Sequence, residues 1–149
     1  MSTLEFSSKP AAAIPDPRTI LLVEDESMVR EITCTVLESA GYSVLASAGG
    51  EEAIRLAQIH AGRIGLLLTD VVMPGMNGPE LARRLRSEQS ELATLFMSGY
   101  TGRDVIPADL HGRKTHYIQK PFTMESLLQR VHEALQGGTT AGSGPMESV

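Results

Sequence analysis

Residues 64–78 read IGLLLTDVVMPGMNG, and this stretch decides the fold. Residues 64–69 are almost uninterruptedly apolar, which is how a strand covered on both faces reads. Asp70 follows at once, and then a loop punctuated by Pro74, Gly75 and Gly78. Pro79 suits a first helical turn, with Leu81, Ala82 and Leu85 facing inward behind it. Arg83, Arg84 and Arg86 are expected on the solvated outer face.

Four further apolar runs flank this one, at residues 19–23, 42–46, 94–98 and 115–119. Successive runs start far enough apart for one crossover helix each, which parallel strands require. The segments between them carry helical periodicity. In the first, Val29, Ile32, Val36, Leu37 and Ala40 share a face and Gly41 supplies a stop. Ala53, Ile54 and Ala57 do so in the second, and Leu127, Leu128, Val131, Ala134 and Leu135 in the last, behind a Thr123 cap. Gly102, Pro107 and Gly112 interrupt the fourth segment, so a short or irregular helix is expected there. Alternating strands and helices predict an α/β fold, an open parallel sheet with helices on both faces. Ligands of such folds sit at the carboxyl ends of the strands.

Composition sets the outer limits. The chain has 149 residues, with 13 Lys plus Arg against 18 Asp plus Glu, a formal charge of −5. That is one domain, and its acidic balance argues against a binder of nucleic-acid backbones. A single cysteine, Cys34, rules out an internal disulfide framework and a multi-cysteine zinc site. It lies off the expected core stripe of its helix, and no histidine pattern marks it as a nucleophile. No run is long and apolar enough for a membrane span or a signal peptide, so a cytoplasmic location is expected. Residues 1–17, rich in Pro, Ala and Ser, read as a flexible arm; residues 137–149 read as a flexible tail; residues 18–136 are the domain.

The strand ends carry the chemistry. The first run ends in Glu24-Asp25-Glu26, the third in Asp70, the fourth in Ser98-Gly99 and the fifth in Lys120-Pro121. Clustered carboxylates repel unless a cation joins them. A hard divalent ion such as Mg²⁺ suits a site with few protein ligands and oxygen donors. A carboxylate beside a metal, an ammonium and a hydroxyl suits phosphoryl chemistry. Glu26 reads instead as a solvated first-turn acid.

LLVEDE at residues 21–26, LLLTDVVMPGMNG at 66–78, LFMSGYT at 95–101 and YIQKPF at 117–122 occur in that order. Together they resemble the receiver domain of two-component response regulators, over residues 18–136. The resemblance implies a flavodoxin-like, doubly wound five-stranded sheet of order 2-1-3-4-5. It implies a phosphoacceptor switch rather than an enzyme acting on separate substrates. Asp70 resembles the phosphoacceptor. Asp25 resembles the main acidic ligand of Mg²⁺ (or Mn²⁺), with Glu24 beside it and the backbone carbonyl of Val72 as a third protein ligand. Ser98 and Lys120 resemble the hydroxyl and the lysine that hold the phosphoryl group, and Tyr117 the aromatic switch. Lys120-Pro121 resembles a cis peptide of the family. The implied partners are a histidine kinase or a histidine phosphotransfer protein, with no nucleic acid and no membrane. The responding surface would comprise the fourth helix, fifth strand and fifth helix, and the resemblance allows a homodimer across it on activation.

Val72 and Tyr100, two positions beyond Asp70 and Ser98, offer no carboxylate or carboxamide to orient water, so slow autodephosphorylation is expected. Two rival classes fit less well. A Mg²⁺-dependent phosphatase would need a DxDx(T/V) pattern where this chain has Glu24-Asp25-Glu26-Ser27, and a nucleotide or flavin binder would need a glycine-rich loop after the first strand.

Overall fold

A computed structural model describes residues 16–99 and 106–136 of the chain. Tyr100, residues 101–105, the tail and all of the arm ahead of Asp16 lie outside the described residues. The elements are β1 (Asp16–Val23), α1 (Ser27–Ser39), β2 (Ser43–Ser47), α2 (Gly50–Ile59), β3 (Ile64–Asp70), α3 (Gly78–Glu88), β4 (Ala93–Ser98), a 3-10 turn (Ala108–Leu110), β5 (Thr115–Gln119) and α4 (Met124–Leu135). The sheet is parallel, five-stranded and ordered β2-β1-β3-β4-β5, as the resemblance implies. Four α-helices are found among the described residues, and the described part of the interrupted fourth segment, from residue 106 on, contributes a 3-10 turn.

The period-2 geometry of the strands splits the core in two. Leu21, Val23 and Leu67 face α2 and α3, packing with Ala53, Leu81, Ala82 and Leu85. Ile20, Leu22, Leu66 and Leu68 face α1 and α4, packing with Leu37, Leu127, Val131 and Ala134. Both faces of β1 and β3 are therefore buried, which is why their sequences are continuous apolar runs rather than alternating ones. β1 starts three residues ahead of its apolar run, with a register shift between Asp16 and Ile20 around Pro17, which cannot donate to the ladder.

Three helical readings need correction or refinement. On α1 the buried pair is Thr33 and Leu37, while Ile32 is half exposed and Ala40 is exposed. Cys34, expected off the stripe, is partly buried and packs against the core on the α1–α4 side of the sheet. The stripe is centred one residue further along because Thr33 occupies an inward position that a purely apolar pattern does not count. On α3, Arg83 and Arg84 face outward, but Arg86 turns in and donates to the Lys114 carbonyl at 3.2 Å and the Thr115 hydroxyl at 2.9 Å. Burial lowers its guanidinium pKa. α4 starts as expected, with Thr123 accepting from the Ser126 amide and Ser126 closing a capping box.

The loop after β3 is shaped by close approach. Asn77 caps α3 by accepting from the Glu80 amide at 2.8 Å. Gly78, the first residue of α3, donates its amide to the Val71 carbonyl at 2.8 Å. A Cβ at Gly78 would collide with the Asp70 carbonyl oxygen and lie 3.1 Å from Val71 Cα. The helix therefore starts against the backbone of the strand end that carries Asp70.

Candidate functional site

Parallel strands end on one rim, and the register sets which side chains meet there. Val23 pairs with Thr69, Asp70 with Met97, and Ser98 with Gln119. The residue after β1 is Glu24, the last of β3 is Asp70, the last of β4 is Ser98, and the residue after β5 is Lys120. The Lys120 amide donates to the Ser98 carbonyl at 2.6 Å, and the Lys120-Pro121 peptide is cis, as the resemblance implied.

Glu24, Asp70 and Ser98 are all buried, and for the two carboxylates that position is unusual unless they are paired. Lys120 supplies the pairing: its Nζ lies 2.8 Å from Asp70 Oδ1 and 3.3 Å from Glu24 Oε1. The Glu26 amide donates to Glu24 Oε2 at 3.2 Å, and Arg30 Nη1 donates to the Glu24 carbonyl at 2.7 Å. Asp25 is exposed at the mouth. One carboxylate oxygen from each of Glu24, Asp25 and Asp70 lies within 4.8 Å of the others.

The electrostatics follow. Burial first, and then the adjacent Glu24, push the Asp70 carboxyl up to about 7, with Lys120 opposing the rise. Burial pushes the Lys120 ammonium down, but the Asp70 and Glu24 carboxylates outweigh it and the net direction is up. One ammonium thus serves two buried carboxylates with a third at the entrance. Lys120 is the one cation that meets the buried Asp70 Oδ1 among the described residues. Three carboxylate oxygens converging on one point, with a single ammonium to offset them, fit a hard divalent cation.

Of the residues singled out in the sequence, Glu24, Asp25, Asp70 and Lys120 come together directly, and Ser98 stands on the neighbouring strand end. Val72 lies in the following loop with its side chain 78% exposed. Tyr117 lies further back on β5, half-buried against the α2–α3 side of the core. The His111 ring meets Tyr117 edge-on, with centroids 6.3 Å apart, and Arg130 donates to the Tyr117 carbonyl at 2.6 Å. Arg30 and Gly78 were not singled out. Arg30 stands six residues after Glu24, one turn into α1, and only the fold aims its guanidinium back at the strand end. Gly78 carried a signal, since glycine between a capping Asn77 and Pro79 is an unusual helix start.

A family model described as the response regulator receiver domain matches residues 20–132. The sensor kinase CckA of Brucella abortus (strain 2308) is 38% identical over 122 residues, which is 79% of this chain and 12% of that protein. The uncharacterized transcriptional regulatory protein YkoG of Bacillus subtilis (strain 168) is 39% identical over 124 residues, 80% of this chain and 52% of that protein. The chain therefore spans about half or less of these curated relatives. It matches nearly all of a smaller one: the response regulator receiver protein CpdR of Brucella abortus is 34% identical over 118 residues, 79% of this chain and 97% of that protein. Among solved structures, the receiver domain of the hybrid histidine kinase CckA superposes with a TM-score of 0.69 at 37% identity, covering 79% of this chain and 99% of that one. The response regulator TrrA of Thermotoga maritima, solved with Mg²⁺ and BeF, gives 0.65 at 27% identity, covering 78% and 98%. Among the described residues no helix is long and apolar enough to cross a membrane.

Proposed function

Because the chain belongs to the response regulator receiver domain family of two-component signalling, we propose that it is a phosphoacceptor switch with Asp70 as the acceptor. The observation that carries this reading is the Lys120 ammonium 2.8 Å from a buried Asp70 carboxylate, inside a carboxylate cluster that one ammonium does not neutralise.

Residues 18–136 are the receiver unit in this reading. The donor is the phosphohistidine of a histidine kinase or a histidine phosphotransfer protein, which places the chain in the cytoplasm. An Asp70 carboxylate oxygen attacks the phosphorus, the P–O bond forms, the P–N bond breaks, and the imidazole leaves. Glu24, Asp25, Asp70 and the Val72 carbonyl would hold Mg²⁺ or Mn²⁺. When bound, that ion offsets charge on the phosphoryl oxygens. Lys120 stays paired to the acceptor, so a fixed positive charge meets the incoming anion without reorganising.

Phosphorylation replaces one negative charge by roughly two. Lys120 then holds a phosphoryl oxygen, and the Ser98 hydroxyl donates to another. A hydrogen bond to a charged group contributes about 1.5–3 kcal/mol. That biases a two-state equilibrium by roughly 10- to 100-fold. Tyr117 reorients into the space Ser98 leaves, and the surface made by the 3-10 turn segment, β5 and α4 changes with it. The reading is compatible with a homodimer across that surface on activation.

The test is incubation with acetyl phosphate and Mg²⁺ followed by intact-protein mass measurement. One phosphoryl adduct is expected, absent in Asp70→Asn and absent when the metal is chelated. An adduct that persists in Asp70→Asn, or none with any donor, overturns the assignment.

A further inference from the structure

Two adjacent residues of the rim are held very differently. Glu24 is gripped at every polar group. Its amide donates to the Ser47 carbonyl at 3.1 Å. Its carboxylate meets Lys120 Nζ at 3.3 Å through Oε1 and accepts from the Glu26 amide at 3.2 Å through Oε2. Its carbonyl accepts from Arg30 Nη1 at 2.7 Å. Asp25 is exposed, and among the described residues no hydrogen bond or ion pair holds its carboxylate. One of its oxygens nevertheless lies within 4.8 Å of those of Glu24 and Asp70. Its direction is therefore set by the backbone that carries it.

The Glu24 carbonyl belongs to the Glu24–Asp25 peptide, and the atoms of a peptide are coplanar from one Cα to the next. A donor fixed on that oxygen fixes the plane, and with it the bond by which the chain enters Asp25. Arg30 is such a donor. It sits on the first turn of α1, where its own amide donates to the Glu26 carbonyl at 2.9 Å. The helix anchors one end of the side chain and the strand end receives the other. At 2.7 Å the contact is short for an N–H···O bond, as a charged donor gives. A planar guanidinium also loses less freedom per hydrogen bond than a lysine ammonium.

We propose that Arg30 is a positioning residue for the divalent-cation site: by holding the Glu24 carbonyl, it sets the direction of the Asp25 carboxylate. It acts through Asp25 and not on the phosphoryl group. The inference rests on the reading of Glu24, Asp25 and Asp70 as the metal site.

The test is a Mg²⁺ titration of the isotope-labelled full chain, followed by the amide shifts of Asp25 and Val71 with no phosphoryl donor present. Arg30→Met keeps an unbranched stem and loses the donor. It should weaken Mg²⁺ binding by about tenfold, a loss typical of removing a group that orients a metal ligand. Arg30→Lys keeps a charged donor and should recover part of that loss. Asp25→Asn should also weaken binding, and adding Arg30→Met to it should weaken binding little further, because the carboxylate that Arg30 directs is already gone. Equal affinity in wild type and Arg30→Met, or losses that add in the double variant, overturns the inference and leaves the metal site standing. A wild-type chain whose amides do not respond to Mg²⁺ overturns the metal site itself, and the inference with it.

Discussion

Gly78→Ala isolates the contact between the start of α3 and the strand end that carries Asp70. The added Cβ meets backbone, the Asp70 carbonyl group and Val71 Cα, not the movable tip of a side chain. The helix must therefore back away, which strains the Gly78 amide bond to the Val71 carbonyl and the packing of Leu81, Ala82 and Leu85. Overpacking of this kind costs about 1–3 kcal/mol. A lost hydrogen bond adds about 1 kcal/mol. The expected destabilisation is thus about 2–4 kcal/mol, a fall in Tm of roughly 8–16 °C for a domain of this size. Gly75→Ala is the matched control. Gly75 has φ +75° with open space around it, so it should lose only the backbone preference, about 1 kcal/mol. Urea unfolding followed by far-UV circular dichroism measures both, and an unchanged slope shows that the comparison is of stability alone. Gly78→Ala should also accept phosphate from acetyl phosphate more slowly, because the displaced contact is the Asp70 backbone. If Gly78→Ala unfolds at the wild-type midpoint, or is no worse than Gly75→Ala, α3 is not seated on the strand end as described.

Two other predictions concern the rim. The Val72 side chain is open to solvent two residues past Asp70. Replacing it with Asn supplies a carboxamide to orient water, so Val72→Asn should shorten the lifetime of the phosphorylated protein, measured by loss of the mass adduct. An unchanged or longer lifetime sinks that role. The Asp70 carboxyl, held at about 7 in the fold against an ordinary value of 3.8, sets a pH dependence. An acid whose pKa is raised on folding stabilises the fold below its ordinary value and loses that contribution as pH rises through the folded one. With metal chelated, Asp70→Asn should therefore melt higher than wild type at pH 8, with the gap narrowing toward pH 4. A gap that is constant across that range would refute the electrostatic account.

Much of this was legible because it is local. The continuous apolar runs of β1 and β3 record burial on both faces, and Glu24, Asp25, Asp70, Ser98 and Lys120 follow strands that a parallel sheet must end on one rim. What was not legible depends on partners distant in sequence. Arg86 looks like its exposed neighbours Arg83 and Arg84, and only the position of Lys114 and Thr115 draws it in. Thr33 counts as polar in any periodicity, yet it centres the buried face of α1. The unequal burial of Glu24 and Asp25 is likewise tertiary. Adjacent residues at a strand end point different ways, and Lys120 meets the first of them.

The Lys120–Glu24 contact joins residues 96 positions apart, from the residue after the first strand to the residue after the last. Contacts of such long range close late, because the chain between them must be ordered first. During synthesis Glu24 and Asp70 emerge well before the ammonium that lets them sit buried side by side. Until β5 docks at the sheet edge, that pair lacks the ammonium that offsets its repulsion in the finished fold. Completion of the charged rim is in this sense a record of folding. A chain truncated before Lys120 keeps the acidic pair and lacks the group that neutralises it, so only the finished domain has the rim in working order.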